Sequence, residues 1–433
     1  MSTRLVLLYT ACGLLFWGVR LFYWSSVFEA PFSDMADYVA IGRQLLDSWS
    51  FASSSFWQTS KPPTIPILMA LVFGVVGGVD MDAWRVAQTT LLFASLAWLA
   101  REIYARTASH FLAASLIVSV SLTRPSIFWS YKAATESIAE AFVYAVAAAL
   151  LWNLRTRRIA SAGLLGFLCV AAALARPNFA PLMPIAALVI AWPAFVTREV
   201  ELRRGFMALV VFAAVAAGTW SPWIIRNYQL YGALVPFTTQ GPYSFLWEIG
   251  TVDVRLDDGR QVRTDIHELQ RNAATDFPTD QKAAEYANRV VAAWLKANRR
   301  AYLKTVPIRM WRQVNDRTEY LTRLPRVRLS GWNWEPLADK RPLTIILGYA
   351  GFLVFALRRR PWILPVALGL AACWGFGALF LSYSRMYEPY TGLTIFGIVL
   401  LGYALARPFT PFRTHPANER YRPPPDSSRS VPR

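Results

Sequence analysis

Apolar residues in this chain come in long blocks, most of about 17 to 22 residues, close to the length a helix needs to cross a bilayer. They run over Leu5–Ser25, Trp84–Tyr104, Phe111–Trp129, Ser137–Leu154, Ile159–Ala175, Phe179–Val196, Phe206–Ile225, Leu343–Leu357, Trp362–Tyr383 and Tyr387–Ala406. Short alternating segments of the kind that build a membrane β-barrel do not recur. The pattern predicts an all-α polytopic membrane protein of about ten spans. One further apolar run, residues 63–79, is short and contains Pro66 and Gly74. If it crosses, the basic loops that follow alternate sides poorly. If it stays at the membrane surface, as a juxtamembrane or re-entrant helix, Arg101–Arg106, Arg155–Arg158, Arg198–Arg204 and Arg358–Arg360 share one side, which the positive-inside rule makes cytoplasmic. The second reading is the one adopted.

That topology divides the chain into four parts. Residues 1–225 form an N-terminal transmembrane module whose first outer loop, 26–83, carries juxtamembrane helices. Residues 226–342 form a small, mainly helical outer region. Residues 343–406 hold the last spans, and 407–433, rich in Pro, Arg and Ser, are expected to be a disordered cytoplasmic tail. Within the outer region, Asn227 to Tyr243 reads as irregular structure. Asp258-Gly259 predicts a hairpin turn, and Ala283, Ala287, Val290, Val291, Trp294 and Leu295 fall near one helical face.

Composition agrees, with 55% hydrophobic and only 17% charged residues. The net charge of +18 is spent on loops between apolar runs, and no nucleic-acid-binding motif accompanies it. Cys12, Cys169 and Cys373 all sit inside apolar blocks and read as small core residues. His110, His267 and His415 have no zinc-type spacing. Arg4 ahead of the first block, with no A-x-A cleavage site, predicts an uncleaved first span in the cytoplasmic membrane.

Charged residues at the outer ends of the spans form a short list: Asp34, Asp37, Lys61, Lys132, Glu136, Arg176, Arg226, Arg385 and Glu388. A polar pocket lined this way could hold a phosphate and activate a hydroxyl. Each residue also has an ordinary reading. Asp34 and Asp37 open a helix, where carboxylates cap backbone N–H groups. Glu136 opens a span, Lys61 could extend to the headgroups, and Arg176, Arg226 and Arg385 could be interfacial anchors. Their number and common side favour a site.

The same stretches bear a resemblance. Asp34, Tyr38, Gly42, Arg43 and Leu45 follow the form D-x-x-x-Y-x-x-x-A/G-R-x-L, and Lys61-Pro62-Pro63 comes after them. Then follow ARPN at residues 175–178, PWIIRNYQLYGALVPFTTQGPY at 222–243 and SRMYEPY at 384–390. In this order they resemble the polyprenyl-phosphate-dependent glycosyltransferases of the GT-C superfamily, in particular bacterial protein O-mannosyltransferase homologues and the aminoarabinose transferase of lipid A. The resemblance implies an outward-facing active site, a polyprenyl-phosphate sugar donor and inverting transfer to an acceptor hydroxyl on a lipid or cell-envelope glycan. Carried over by position, Asp34 is the general base, Glu136 the acid of the second outer loop, and Lys61 the cation at the donor phosphate. Arg226 and Arg385 are further candidates for that last task, and Asp37, the more structural of the two acids, Tyr38, Lys132, Arg176 and Glu388 line the same region. A divalent metal, Mg or Mn, stays open, since two acids from separate loops could bind one ion or none. Two positions depart from the pattern. Ser60 stands where the aminoarabinose transferases carry an acid, and Asp37 is not adjacent to Asp34 as in the acidic pair of the mannosyltransferases. The reading from another class is a transporter or flippase for a lipid-linked or anionic substrate. Charges at helix ends and the lack of an internal repeat speak against it.

Overall fold

The computed structural model describes residues 3–27, 31, 34–51, 54, 56–315, 341–358, 361–380 and 386–406. The chain is a mainly helical, multi-pass membrane protein. Its long segments are α1 (Thr3–Ser25), α4 (Met81–Thr107), α5 (His110–Ser121) with α6 (Arg124–Tyr131), α7 (Thr135–Thr156), α8 (Ile159–Ala175), α9 (Leu182–Phe195), α10 (Leu202–Tyr231), α14 (Arg341–Arg358), α15 (Leu364–Ala378) and α16 (Thr391–Ala406). Every predicted span falls on one of them, but the count of ten is not reproduced by length and apolarity. Among the described residues six helices meet both conditions, or seven if α5 and α6 are one bent span. The reasons are local. The apolar run of α4 is interrupted by Gln88, Thr89, Thr90 and Ser95, and Gln88, Thr89 and Ser95 are buried against other helices. The apolar stretches of α8 and α14 fall just short in length. α5 and α6 meet at a bend of 57°, placed where Pro125, in the first turn of α6, has no N–H to donate back to the end of α5.

Contacts between helix ends define two opposite faces. At one, the Tyr9 hydroxyl meets His110 Nδ1 at 3.0 Å, Arg155 makes a two-pronged ion pair with fully buried Glu102 at 2.8 and 2.9 Å, and Arg106 lies over the Trp362 ring. This is the face of the arginine-rich loops. At the other lie the short helices α2 (Asp34–Ser48) and α3 (Thr64–Val76). α2 buries Met35, Tyr38, Ile41 and Gly42 along one stripe. Gly42 is required there, because a Cβ on it would meet Met69 Cβ of α3 at 2.9 Å. α3 has 13 residues, about 20 Å of helix against a hydrocarbon core of about 30 Å.

The region predicted to lie outside builds a cap on the same face. α10 runs two turns beyond the predicted span end, through Arg226 and Asn227 to Tyr231, and stops at Gly232 in the left-handed conformation. Part of the segment expected to be irregular is therefore helix, because the side chains of those extra turns find partners in the first outer loop. After α11 (Gly241–Ile249), strands β1 (Val252–Arg255) and β2 (Gln261–Thr264) pair antiparallel. Gly259, at φ +88°, takes the turn as the Asp-Gly pair predicts. α12 (Ile266–Asp276) and one long helix, α13 (Asp280–Asn315), complete the cap. Its small core holds Tyr243, Leu246, Val254, Leu269, Ala287 and Val290, with Phe56 and Trp57 of the first outer loop packed against it. The predicted tail lies outside the described residues.

Candidate active site

Lys61 is the hub. Its ammonium meets Asp34 Oδ1 at 2.6 Å and Asp37 Oδ2 at 3.2 Å, both from the first turn of α2. The lysine side chain is only 12% exposed, whereas the two carboxylates are 48% and 46% exposed, so the pair opens to solvent on the acid side. Neither distance nor exposure separates the roles of the two acids. Lys61 also stands 5.7 Å from the centre of the Tyr38 ring. Burial works against its charge, yet Tyr38, Asp34 and Asp37 together outweigh burial and raise its pKa above the ordinary lysine value.

Tyr38 joins this corner to a second ion pair. Its phenol is buried, which pushes its pKa up, and it feels the charges of Lys61, Asp34, Glu136 and Arg176. Glu136, in the first turn of α7, lies 3.7 Å from Arg176 at the end of α8, and both are buried. Arg176 reaches Met386 Sδ at 3.6 Å. Two residues on, buried Glu388 accepts a hydrogen bond from Trp129 Nε1. The structure thus brings together Asp34, Asp37, Tyr38, Lys61, Glu136 and Arg176, with Glu388 on the adjoining wall. Lys132, buried in the connection before α7, lies over the rings of Phe128 and Tyr131. Burial pushes its pKa down to about 8. Arg385 lies outside the described residues.

Arg226 has a different occupation. Its guanidinium donates to the carbonyls of Phe51 and Gln58 at 2.5 and 2.9 Å, to Thr59 Oγ1 at 3.0 Å and to Asn227 Oδ1 at 2.7 Å. Opposite it stands Asp280, at the start of α13 and fully buried. Asp280 accepts from the backbone N–H groups of Gln58 and Thr59, the Tyr231 hydroxyl and the Thr239 hydroxyl, at 2.6 to 3.2 Å. A cation and an anion therefore grip the same dipeptide from two sides, immediately ahead of Lys61. Sequence reasoning missed Asp280 and Thr59. A lone acid opening a polar helix looks like a cap, and only the fold shows what it captures.

A second omission lies deeper, between α1, α6 and α7. Arg20, fully buried, donates to Ser126 Oγ at 2.7 Å and to the Phe16 carbonyl at 3.1 Å, with its guanidinium 3.6 Å from the Phe16 ring centre. Ser126 in turn bonds Glu140, which accepts the Tyr144 hydroxyl at 2.6 Å. The signal was available, since Arg20 and Glu140 are ionisable residues within apolar blocks, where a charge needs a partner. Attention to the outer ends alone passed over them.

A resident metal fits poorly here. Among the described residues no group of three or more His, Cys, Asp or Glu is placed to hold an ion. Asp34 and Asp37, the two acids that converge, are already bridged by an ammonium.

No protein-family model and no curated protein sequence matches the chain. Among solved structures it resembles the oligosaccharyltransferase AglB of Archaeoglobus fulgidus in complex with an inhibitory peptide and a dolichol-phosphate. The TM-score is 0.54 at 14% identity, over 93% of this chain and 50% of the other. The Archaeoglobus fulgidus oligosaccharyltransferase tethered to an acceptor peptide with an NVT sequon gives 0.52 at 12% identity, and its apo form 0.53 at 13%, each over 94% of this chain and 50% of the other. The likeness is one of fold, and the chain spans about half the length of these structures.

Proposed function

We propose that the chain is an inverting GT-C glycosyltransferase that moves a sugar from a polyprenyl-phosphate donor to an acceptor hydroxyl of a lipid or cell-envelope glycan. It would act on the outer face of the cytoplasmic membrane, with ten segments crossing and the arginine-rich loops inside. The observation that carries this reading is the Asp34–Lys61–Asp37 corner, half open to solvent and joined through Tyr38 to Glu136 and Arg176. A shared fold with enzymes whose solved structures hold dolichol-phosphate and acceptor peptides agrees with it.

The chemistry follows from charge. A donor phosphate competes with two carboxylates for one ammonium, and its arrival draws Lys61 away from Asp34. Asp34, so released, accepts the proton of the acceptor hydroxyl as its oxygen attacks the anomeric carbon. The bond from that carbon to the phosphate oxygen breaks, its electron pair stays on the phosphate, and configuration inverts. Lys61 offsets the charge on the departing polyprenyl phosphate. Glu136 and Arg176 form the wall on which the sugar hydroxyls and the phosphate are held, and Asp37 keeps Lys61 from leaving the site altogether. No step is routed through a metal.

The test is a panel of synthetic polyprenyl-phosphate sugars, incubated with purified protein and read by released polyprenyl phosphate. Asp34→Asn should lower turnover by about 10²- to 10⁴-fold, with the melting temperature within a few degrees of the parent. Full activity of that variant removes Asp34 from the role of base. Movement of donor across a vesicle membrane with its glycosidic bond intact would favour a flippase instead.

A further inference from the structure

The half of α13 nearest the bundle is built unlike the half that packs into the cap. From Lys296 to Asn315 the sequence holds six Lys or Arg and no Asp or Glu, while the preceding turns mix signs and pair Lys282 with Glu285. One face of this stretch is fixed to the bundle. The Tyr302 hydroxyl donates to the Leu379 carbonyl at the end of α15, Arg309 and Gln313 are buried, and Val314 joins the main core. The opposite face carries Leu303, Ile308 and Trp311, which are 50%, 54% and 51% exposed. Exposed Arg300, Lys304 and Arg312 alternate with them. An outward face of a water-facing cap would be polar. Large apolar side chains interleaved with cations, at helical spacing, are the composition of a helix lying in a bilayer interface. The stretch is also continuous with the membrane domain, since its buried side packs on the ends of the membrane helices.

We propose that this face of α13, from Lys296 to Arg312, rests on the anionic phospholipid headgroups around the bundle. Leu303, Ile308 and Trp311 enter the acyl boundary and Arg300, Lys304 and Arg312 meet the lipid phosphates. The contact anchors the far end of the helix whose first residue, Asp280, grips the chain ahead of Lys61. It does not depend on which reaction the site performs.

The full-length protein with Leu303→Cys, labelled with an environment-sensitive fluorophore, tests this in nanodiscs. The native cysteines, Cys12, Cys169 and Cys373, are buried, and unlabelled background is read on the parent. The expected result is strong quenching by bromine-labelled lipids and a blue shift on replacing part of the phosphatidylcholine by phosphatidylglycerol. In contrast, a label at exposed Asp257 should respond to aqueous iodide. Each Lys or Arg at an anionic surface is worth about fivefold in affinity. The variant R300Q/K304Q/R312Q should therefore lose the phosphatidylglycerol response while keeping bromolipid quenching through the apolar contacts. Iodide quenching at position 303 equal to that at 257, or identical emission in neutral and anionic discs, overturns the proposal. So does stronger protection of the label by a soluble polyanion such as polyphosphate than by anionic lipid.

Discussion

Lys61, mostly covered, and Lys132, buried, lie on the same face of the molecule, and they answer pH in opposite ways. For Lys61, the phenol of Tyr38 and two carboxylates more than offset burial, so its folded pKa is raised. The stability it contributes is present below the ordinary lysine value and is lost only as pH rises through the higher folded one. No step from Lys61 should appear between pH 6 and pH 9. Lys61→Met should leave Asp34 and Asp37 facing each other without a cation, cutting transfer by about 10²-fold or more. A Lys61→Met protein of wild-type turnover would remove the ammonium from the mechanism. Lys132 sits over aromatic rings, and burial lowers its pKa to about 8. Between that value and the ordinary one near 10.5 the unfolded chain binds the extra proton, so stability should climb with pH across this window. At neutral pH the buried ammonium is a net cost to folding. Lys132→Met should raise the melting temperature at pH 7 and flatten the climb between pH 8 and 10. Thermal unfolding in detergent at those pH values decides it, and a wild-type profile already flat there contradicts the burial argument.

Between elements, the clamp on the first outer loop is the feature that turns a fold into a site. Asp280 of α13 and Arg226 of α10 converge on Gln58 and Thr59, and Lys61 follows two residues later. Asp280→Ala removes the acceptor of four donors, two buried and two part-buried, and should cost about 3 kcal/mol. Asp280→Asn keeps one carbonyl oxygen for the loop N–H groups and should recover most of that cost. If the clamp positions Lys61, the alanine variant also loses kcat with little change in donor KM, and the asparagine variant restores it. Equal turnover in both variants would make Asp280 a brace for the cap alone. Much at this scale was legible in the chain. The amphipathic stripe of α2, the Asp-Gly hairpin and the apolar face of α13 followed from local spacing and turn chemistry. The clamp was not, because Arg226 and Asp280 lie 167 to 222 positions from the dipeptide they hold and each taken singly has a routine reading as a cap or an anchor. Arg20 and Glu140 were visible as charges in apolar blocks, but their pairing through Ser126 depends on how α1, α6 and α7 cross.

For the whole molecule, the decisive question is how many times the chain crosses. Among the described residues hydropathy alone reaches six or seven spans, yet the contacts sort the helix ends into two sets on opposite faces. His110, Glu102, Arg155 and Trp362 belong to one; Lys61, Glu136, Arg176 and Arg226 belong to the other. For this sorting to hold, α4, α8 and α14 must traverse the bundle although each falls short of an isolated span. Packing supplies what hydropathy lacks: Gln88 of α4 spends its amide on the carbonyls of Ser130 and Lys132 at 2.7 and 3.1 Å, inside the protein and away from lipid. Gly166 of α8 lets the backbone of α10 approach so closely that a Cβ would lie 2.5 Å from the Phe212 carbonyl oxygen. We propose that α3 does not do the same, since about 20 Å of helix is short of about 30 Å of hydrocarbon. Single cysteines therefore give an unambiguous pattern with a membrane-impermeant maleimide applied to intact cells. Substitutions at Gly78 and Gly232 should both label from outside, and those at Ala108, Arg157 and Arg198 only after permeabilisation. Labelling at Gly78 that requires permeabilisation would mean that α3 crosses after all. It would move every later loop to the other side and separate Lys61 from Glu136 by the thickness of the membrane.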